Sequence, residues 1–169
     1  MNERHFGNLT GMKRFDAVTK YGKDEVLKWQ YSFDATPPLM DENHKHFTDI
    51  TEDIRYINGP SAEEMPKGES LKMTLERVQP YWNSIIIPQL KKQKTLLLIC
   101  HGDVLRSLVK FLNGISDEEI EDVSFLAGVP MVFDLDSEFN PAAPMYFLAE
   151  GSLDKAMVSI QAKGRIIMK

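Results

Sequence analysis

The segment running from Thr95 through Leu96-Leu97-Leu98-Ile99-Cys100-His101-Gly102-Asp103 to Arg106 constrains the fold most, because an apolar run delivers a histidine to the point where a strand should end. Leu96 to Cys100 reads as a buried strand, and Gly102 permits a tight turn. Asp103 is placed to cap a helix that carries Val104, Leu105, Leu108, Val109 and Leu112 on its inner side. Ligands in open α/β sheets bind at such strand ends. A helix N-terminus there adds unsatisfied N–H groups and a partial positive charge, which predicts an anion as the guest and His101 as its reaction partner. The same residues also describe a capped core turn with a buried histidine, and this segment alone leaves both readings standing.

A chain of 169 residues with 43% hydrophobic content is long enough for one domain with a sizeable core and too short for two comfortable ones. The formal net charge of −5 argues against general nucleic-acid binding, while leaving room for a local basic pocket that takes a small anion. The single cysteine, Cys100, lies in the expected core strand, where its thiol should be inert. With no disulfide framework to build, a reducing, cytoplasmic setting is expected. No apolar run reaches membrane-spanning length and no signal-peptide core follows Asn2 to His5, so no membrane partner is expected.

Met1 to Gly11 reads as a polar loop. Two short helical patterns follow between Lys13 and Tyr31, separated by Gly22, the first with Phe15, Val18 and Tyr21 inward, the second with Val26, Leu27 and Trp29. Asp34 to Pro66 carries four prolines and little periodicity, which predicts an excursion with only local structure. Helical spacing returns from Ser70 to Leu90, where Pro80 should kink or divide it. Ser116-Asp117-Glu118-Glu119 is a capping-box pattern. Met131 to Leu135 and Met145 to Leu148 read as two strands joined around Asn140-Pro141, and Ser152 to Ala162 as a terminal amphipathic helix. The alternation is α/β in style, yet three or so strands make a thin sheet for this much helix.

The segment Asn2-Glu3-Arg4-His5-Phe6-Gly7-Asn8-Leu9-Thr10-Gly11 resembles the N-E-R-H-Y-G-x-L-T-G segment of the cofactor-dependent phosphoglycerate mutases, members of the histidine phosphatase superfamily. Further landmarks follow in the family order: Tyr31-Ser32-Phe33-Asp34, Pro37-Pro38, Gly68-Glu69-Ser70-Leu71, Pro80-Tyr81-Trp82-Asn83, His101-Gly102, Leu105-Arg106, Gly128-Val129-Pro130 and Phe147-Leu148. The resemblance covers essentially the whole chain. It implies a three-layer α/β sandwich, interconversion of 2- and 3-phosphoglycerate through a phosphohistidine, and 2,3-bisphosphoglycerate as cofactor with no metal. Its expected partner is a small phosphorylated substrate, and family members often form homodimers. The family's phosphorylated histidine sits in an Arg-His-Gly motif upstream of the N-E-R-H loop. Arg4-His5 is not that motif, since Phe6 replaces the glycine and no apolar strand precedes it. The expectation is therefore a domain missing its first strand and helix, whether as a fragment, a truncated gene model or a degenerate copy, and weak or no activity as given. A missing strand should expose a sheet edge and promote self-association.

Carried over residue by residue, His101 matches the family's second histidine, which hydrogen-bonds the phosphoryl oxygens in transfer. Glu3 matches the general acid/base, a role a carboxylate fills when its pocket raises its pKa. Arg4, Phe6, Arg14, Gly102 and Asp103 fall at substrate-binding positions. Phe6 lacks the family's phenol, and Arg14 replaces a lysine with a planar fork. Gln30 and Tyr31 stand where the family has two arginines, removing contacts worth about 1.5 to 3 kcal/mol each, roughly a hundredfold or more in affinity. Asp103 replaces an asparagine, and its carboxylate should oppose a bound phosphate. His44 and His46 lack a third ligand by sequence, so metal binding is not expected. Trp29 and Trp82 should pack helices, and Asp117 to Asp122 should form a solvated face. The competing function is a catalytically dead relative serving as a binding or assembly partner.

Overall fold

The computed structural model describes residues 1–148 except Ala62, Ser124 and Leu126. The chain packs as two compact units, Arg4–Thr74 and a second made of Met1–Glu3 with the chain from Leu75 onward. The expected terminal helix at Ser152 to Ala162 lies outside the described residues.

In the Arg4–Thr74 unit, helix α1 (Arg14–Tyr21) and helix α2 (Lys23–Tyr31) meet at Gly22. That residue takes φ 87°, a left-handed value that glycine adopts without a Cβ penalty, so the break falls where the sequence places it. Tyr21 and Trp29 close the corner edge-to-face at 5.3 Å. The inward face expected of α1 is only partly realised, because Ala17 is buried while Phe15 is 79% exposed. Among the described residues, the excursion after α2 holds a short helix α3 (Phe47–Thr51) and a 3₁₀ turn at Ile54–Tyr56. Its first part is tied down by backbone bonds, Asn8 N–H to Pro38 O at 2.8 Å and Met40 N–H to Lys67 O at 2.6 Å. Gly7 sits under Pro38 with φ 57°, and a Cβ there would collide with the Pro38 carbonyl.

Helix α4 (Leu71–Tyr81) carries the chain into the second unit and runs through a π-helical turn at Trp82–Ile86 into helix α5 (Ile87–Lys92). Pro80 and Pro88 are the reason for the irregularity. Each removes an N–H, and each ring crowds the carbonyl one turn back, so the helix widens and Ile87 N–H reaches Trp82 O instead of a residue four back. The core gathers Val78, Trp82 and Ile86 against Val104 and Leu108 of helix α6 (Gly102–Asn113). Helix α6 ends at Gly114, which is left-handed at φ 62°. Ser116 and Glu119 form the expected reciprocal capping box, each backbone N–H donating to the other's side chain at 3.2 and 3.1 Å.

The sheet is smaller than expected. Strand β1 (Met131–Val132) pairs antiparallel with strand β2 (Tyr146–Phe147), Met131 opposite Phe147, with a bridge from Leu135 to Pro141. Residues 95–100 have no ladder partner among the described residues, so the expected strand is an unpaired extended segment. Its period-2 alternation is nevertheless clear: Leu96, Leu98 and Cys100 pack on the core while Leu97 and Ile99 are 79% and 86% exposed. Among the described residues, no helix is long and apolar enough to cross a membrane.

Candidate functional site

The second unit brings together Glu3, His101, Gly102 and Asp103. His101 closes the extended segment with φ −87° and ψ 165°, and its carbonyl accepts the first α6 bond from Leu105 N–H at 2.9 Å. Its exposed ring has no hydrogen-bond partner among the described residues. The first N–H groups of a helix find no acceptor within it, and here Asp103 N–H donates to Glu3 Oε1 at 3.2 Å across 100 residues of sequence. A carboxylate therefore sits at the positive end of α6, where the helix dipole favours it. Gly102 is the first residue of α6 and has no left-handed φ, so the tight turn expected of it is not formed. A side chain there would face Glu3 Oε2 at 4.0 Å, ordinary contact distance.

Asp103 departs from the capping role read for it. The cap position belongs to His101, and Asp103 lies inside the first turn, where its Oδ1 accepts from Arg106 Nη1 at 3.0 Å. Their side chains are 12% and 8% exposed, and Arg106 also donates to the Ile120 carbonyl at 2.9 Å. The carboxylate is thus compensated by a buried guanidinium one turn along.

Contacts of the backbone around it help hold Glu3 in place. Met1 packs against the α4–α6 core, and Arg77 of α4 donates from Nη2 to the carbonyls of Asn2 at 2.9 Å and Glu3 at 3.2 Å. Arg77 is missed by sequence reasoning, since an arginine on a helix reads as a solvated charge and its acceptors are backbone atoms far away in the chain. Cys100, one residue before His101, has its thiol pKa raised, first by burial and then by the charge of Glu3. This agrees with an unreactive thiol.

Arg4, Phe6 and Arg14 belong to the other unit. Arg4 is buried with its guanidinium 4.8 Å from the centre of the Phe6 ring, and Arg14 opens α1 on an exposed face. His5 is a loop residue, as its pattern indicates. Its Nδ1 accepts the Gly7 N–H at 2.9 Å and its own N–H donates to Glu69 at 2.8 Å. Burial lowers the His5 pKa, with Glu69 opposing the shift and His44 adding to it. His46 bonds Asp49 at 2.7 Å, and among the described residues no three His, Cys, Asp or Glu side chains gather as a metal site.

Comparison with known families bears on the segment that holds His101. The model of the histidine phosphatase superfamily (branch 1) matches residues 40–130, more than half of the chain. The chain belongs to the histidine phosphatase superfamily. Of the candidate residues of this superfamily member, His101, Gly102, Asp103 and Arg106 fall within the match, while Glu3, Arg4, Phe6 and Arg14 precede it. A mixed helical chain with a small sheet is consistent with a histidine phosphatase-type α/β fold.

Proposed function

We propose that this superfamily member is a phosphoglycerate mutase-type protein of the cytoplasm, built on a three-layer sandwich, whose site takes a phosphoglycerate and moves a phosphoryl group between its 2 and 3 oxygens. One observation carries the reading: a carboxylate from the N-E-R-H segment and the His101-Gly102 pair meet at the N-terminus of α6. In this reading the His101 imidazole donates to phosphoryl oxygens, with the backbone N–H groups of Gly102 and Val104 beside it. Glu3 exchanges a proton with the substrate hydroxyl. An exposed histidine on a helix N-terminus suits one phosphoryl group of 2,3-bisphosphoglycerate, the cofactor the resemblance implies. When bound, that cofactor supplies the phosphoryl group that loads the catalytic histidine. The motif for that histidine is not among these 169 residues, so turnover by them alone is expected to be weak or absent.

The second reading is a relative that binds without turning over. It is favoured by Gln30 and Tyr31 standing in place of two cations and by Glu3 occupying a donor that a phosphate would use. Titration of the purified chain with 3-phosphoglycerate, followed by amide resonances, tests the shared part. Shifts centred on His101, Gly102 and Asp103 are expected, and no response there overturns the site. Incubation with labelled 2,3-bisphosphoglycerate separates the two readings, because robust mutase turnover with an acid-labile phosphoprotein would sink the binding-only alternative.

A further inference from the structure

We infer that Arg77 is a positioning residue for Glu3: by clamping the two peptide groups that flank the Glu3 Cα, it aims the carboxylate at the N-terminus of α6. That this carboxylate matters to chemistry rests on the function proposed above; the clamp itself does not.

The geometry is specific. One terminal nitrogen of a guanidinium carries two N–H bonds, and Arg77 Nη2 meets two acceptors, the Asn2 carbonyl at 2.9 Å and the Glu3 carbonyl at 3.2 Å. These carbonyls belong to the peptides on either side of the Glu3 Cα, so fixing both sets the backbone angles from which the side chain departs. Donation from a charged group to neutral carbonyls makes each bond stronger than an amide would. Arg77 is itself well placed. It is half-buried on α4, next to Val78, which is 1% exposed in the core against Val104 and Leu108. The helix that anchors Arg77 is thus packed on the helix whose N-terminus Glu3 reaches. Met1 adds a second anchor on the same core, leaving Asn2 and Glu3 spanned between two fixed points.

The readout is the Asp103 amide. As one of the first N–H groups of α6 it has no intrahelical acceptor, so its protection against hydrogen exchange reports the Glu3 carboxylate. In the full chain, Glu3→Ala should speed Asp103 exchange about tenfold and move its proton resonance upfield. Arg77→Met, which keeps the alkyl stem, should reproduce both changes while amides in the interior of α6, such as Leu108 and Val109, stay protected. Arg77→Lys should fall between the two. An Asp103 amide unchanged in a folded Arg77→Met protein overturns the inference. Should that variant not fold, the unsubstituted protein still decides: the Arg77 Nη protons should resolve separately at low temperature, and a freely averaging guanidinium refutes the clamp. Failure of the proposed function shows up differently, as the absence of any 3-phosphoglycerate response in a chain whose Asp103 amide depends on Arg77.

Discussion

Substituting Asp103 separates a structural carboxylate from one that meets the ligand. Asp103 and Arg106 lie one turn apart on α6 with side chains 12% and 8% exposed, so water screens the pair weakly. Asp103→Ala would remove the carboxylate that accepts from the buried Arg106 guanidinium. Breaking a buried pair by removing one partner costs about 3 to 5 kcal/mol, against roughly 0.5 kcal/mol for an exposed helix pair at the same spacing. For a chain of this size the larger figure lowers Tm by about 6 to 20 °C. In urea it moves the midpoint by about 2 M, taking a slope of about 2 kcal/mol/M. Arg106→Met alone should cost a similar amount. The double variant Asp103→Ala/Arg106→Met should cost clearly less than the two singles added together, because the Asp103–Arg106 interaction can be lost only once. Urea unfolding of the four proteins at pH 7, with equal slopes as the check on two-state behaviour, measures this. A single-variant cost below about 1 kcal/mol, or strict additivity, would refute the buried-pair reasoning and return Asp103 to the ligand.

Three other outcomes follow from the same structure. His101→Ala should leave stability within about 0.5 kcal/mol, since the exposed ring makes no cap bond, while weakening 3-phosphoglycerate binding tenfold or more; calorimetry and thermal melts measured together check both halves. His5 has a folded pKa below its ordinary 6.5, so the stability owed to its neutral ring is present in full above pH 6.5 and is lost as pH falls through the lowered value. Urea midpoints between pH 7.5 and 5 should therefore fall more steeply for the native sequence than for His5→Asn, and parallel curves would contradict the assignment. Leu97→Thr with Ile99→Thr, at positions 79% and 86% exposed, should cost little stability and reduce self-association in sedimentation runs; unchanged association would place the sticky surface elsewhere.

Local rules were legible in the sequence and long-range ones were not. Gly22 announced the break between α1 and α2, Ser116 with Glu119 announced a capping box, and alternation along residues 96–100 announced which side chains face the core. Each of these depends on neighbours within a few positions. Whether residues 96–100 join a ladder depends on another strand, which periodicity cannot supply, and the expected strand is here an extended segment without a partner among the described residues. Asp103 was misread for a related reason. Capping preference favours an aspartate at a helix start, and the i,i+3 spacing to Arg106 was visible, but the Ile120 carbonyl that also holds Arg106 lies 14 residues further along the chain. Arg77 left no signal at all, because its acceptors are main-chain oxygens some 75 residues away.

The end of α6 therefore carries two carboxylates with opposite consequences for an anion. Asp103 is paired with the buried guanidinium of Arg106. The Glu3 carboxylate sits on the Asp103 N–H at the helix mouth, where it offsets part of the roughly half-unit positive charge that would attract a phosphate. Removing the charge while keeping the shape tests this offset. Glu3→Gln should bind inorganic phosphate severalfold more tightly than the native sequence at pH 7 while abolishing any turnover, with the effect shrinking in high salt. Tighter binding from Asp103→Asn and none from Glu3→Gln would mean that the field at the helix mouth is set by the other carboxylate, and that the balance drawn between Asp103 and Arg106 is wrong.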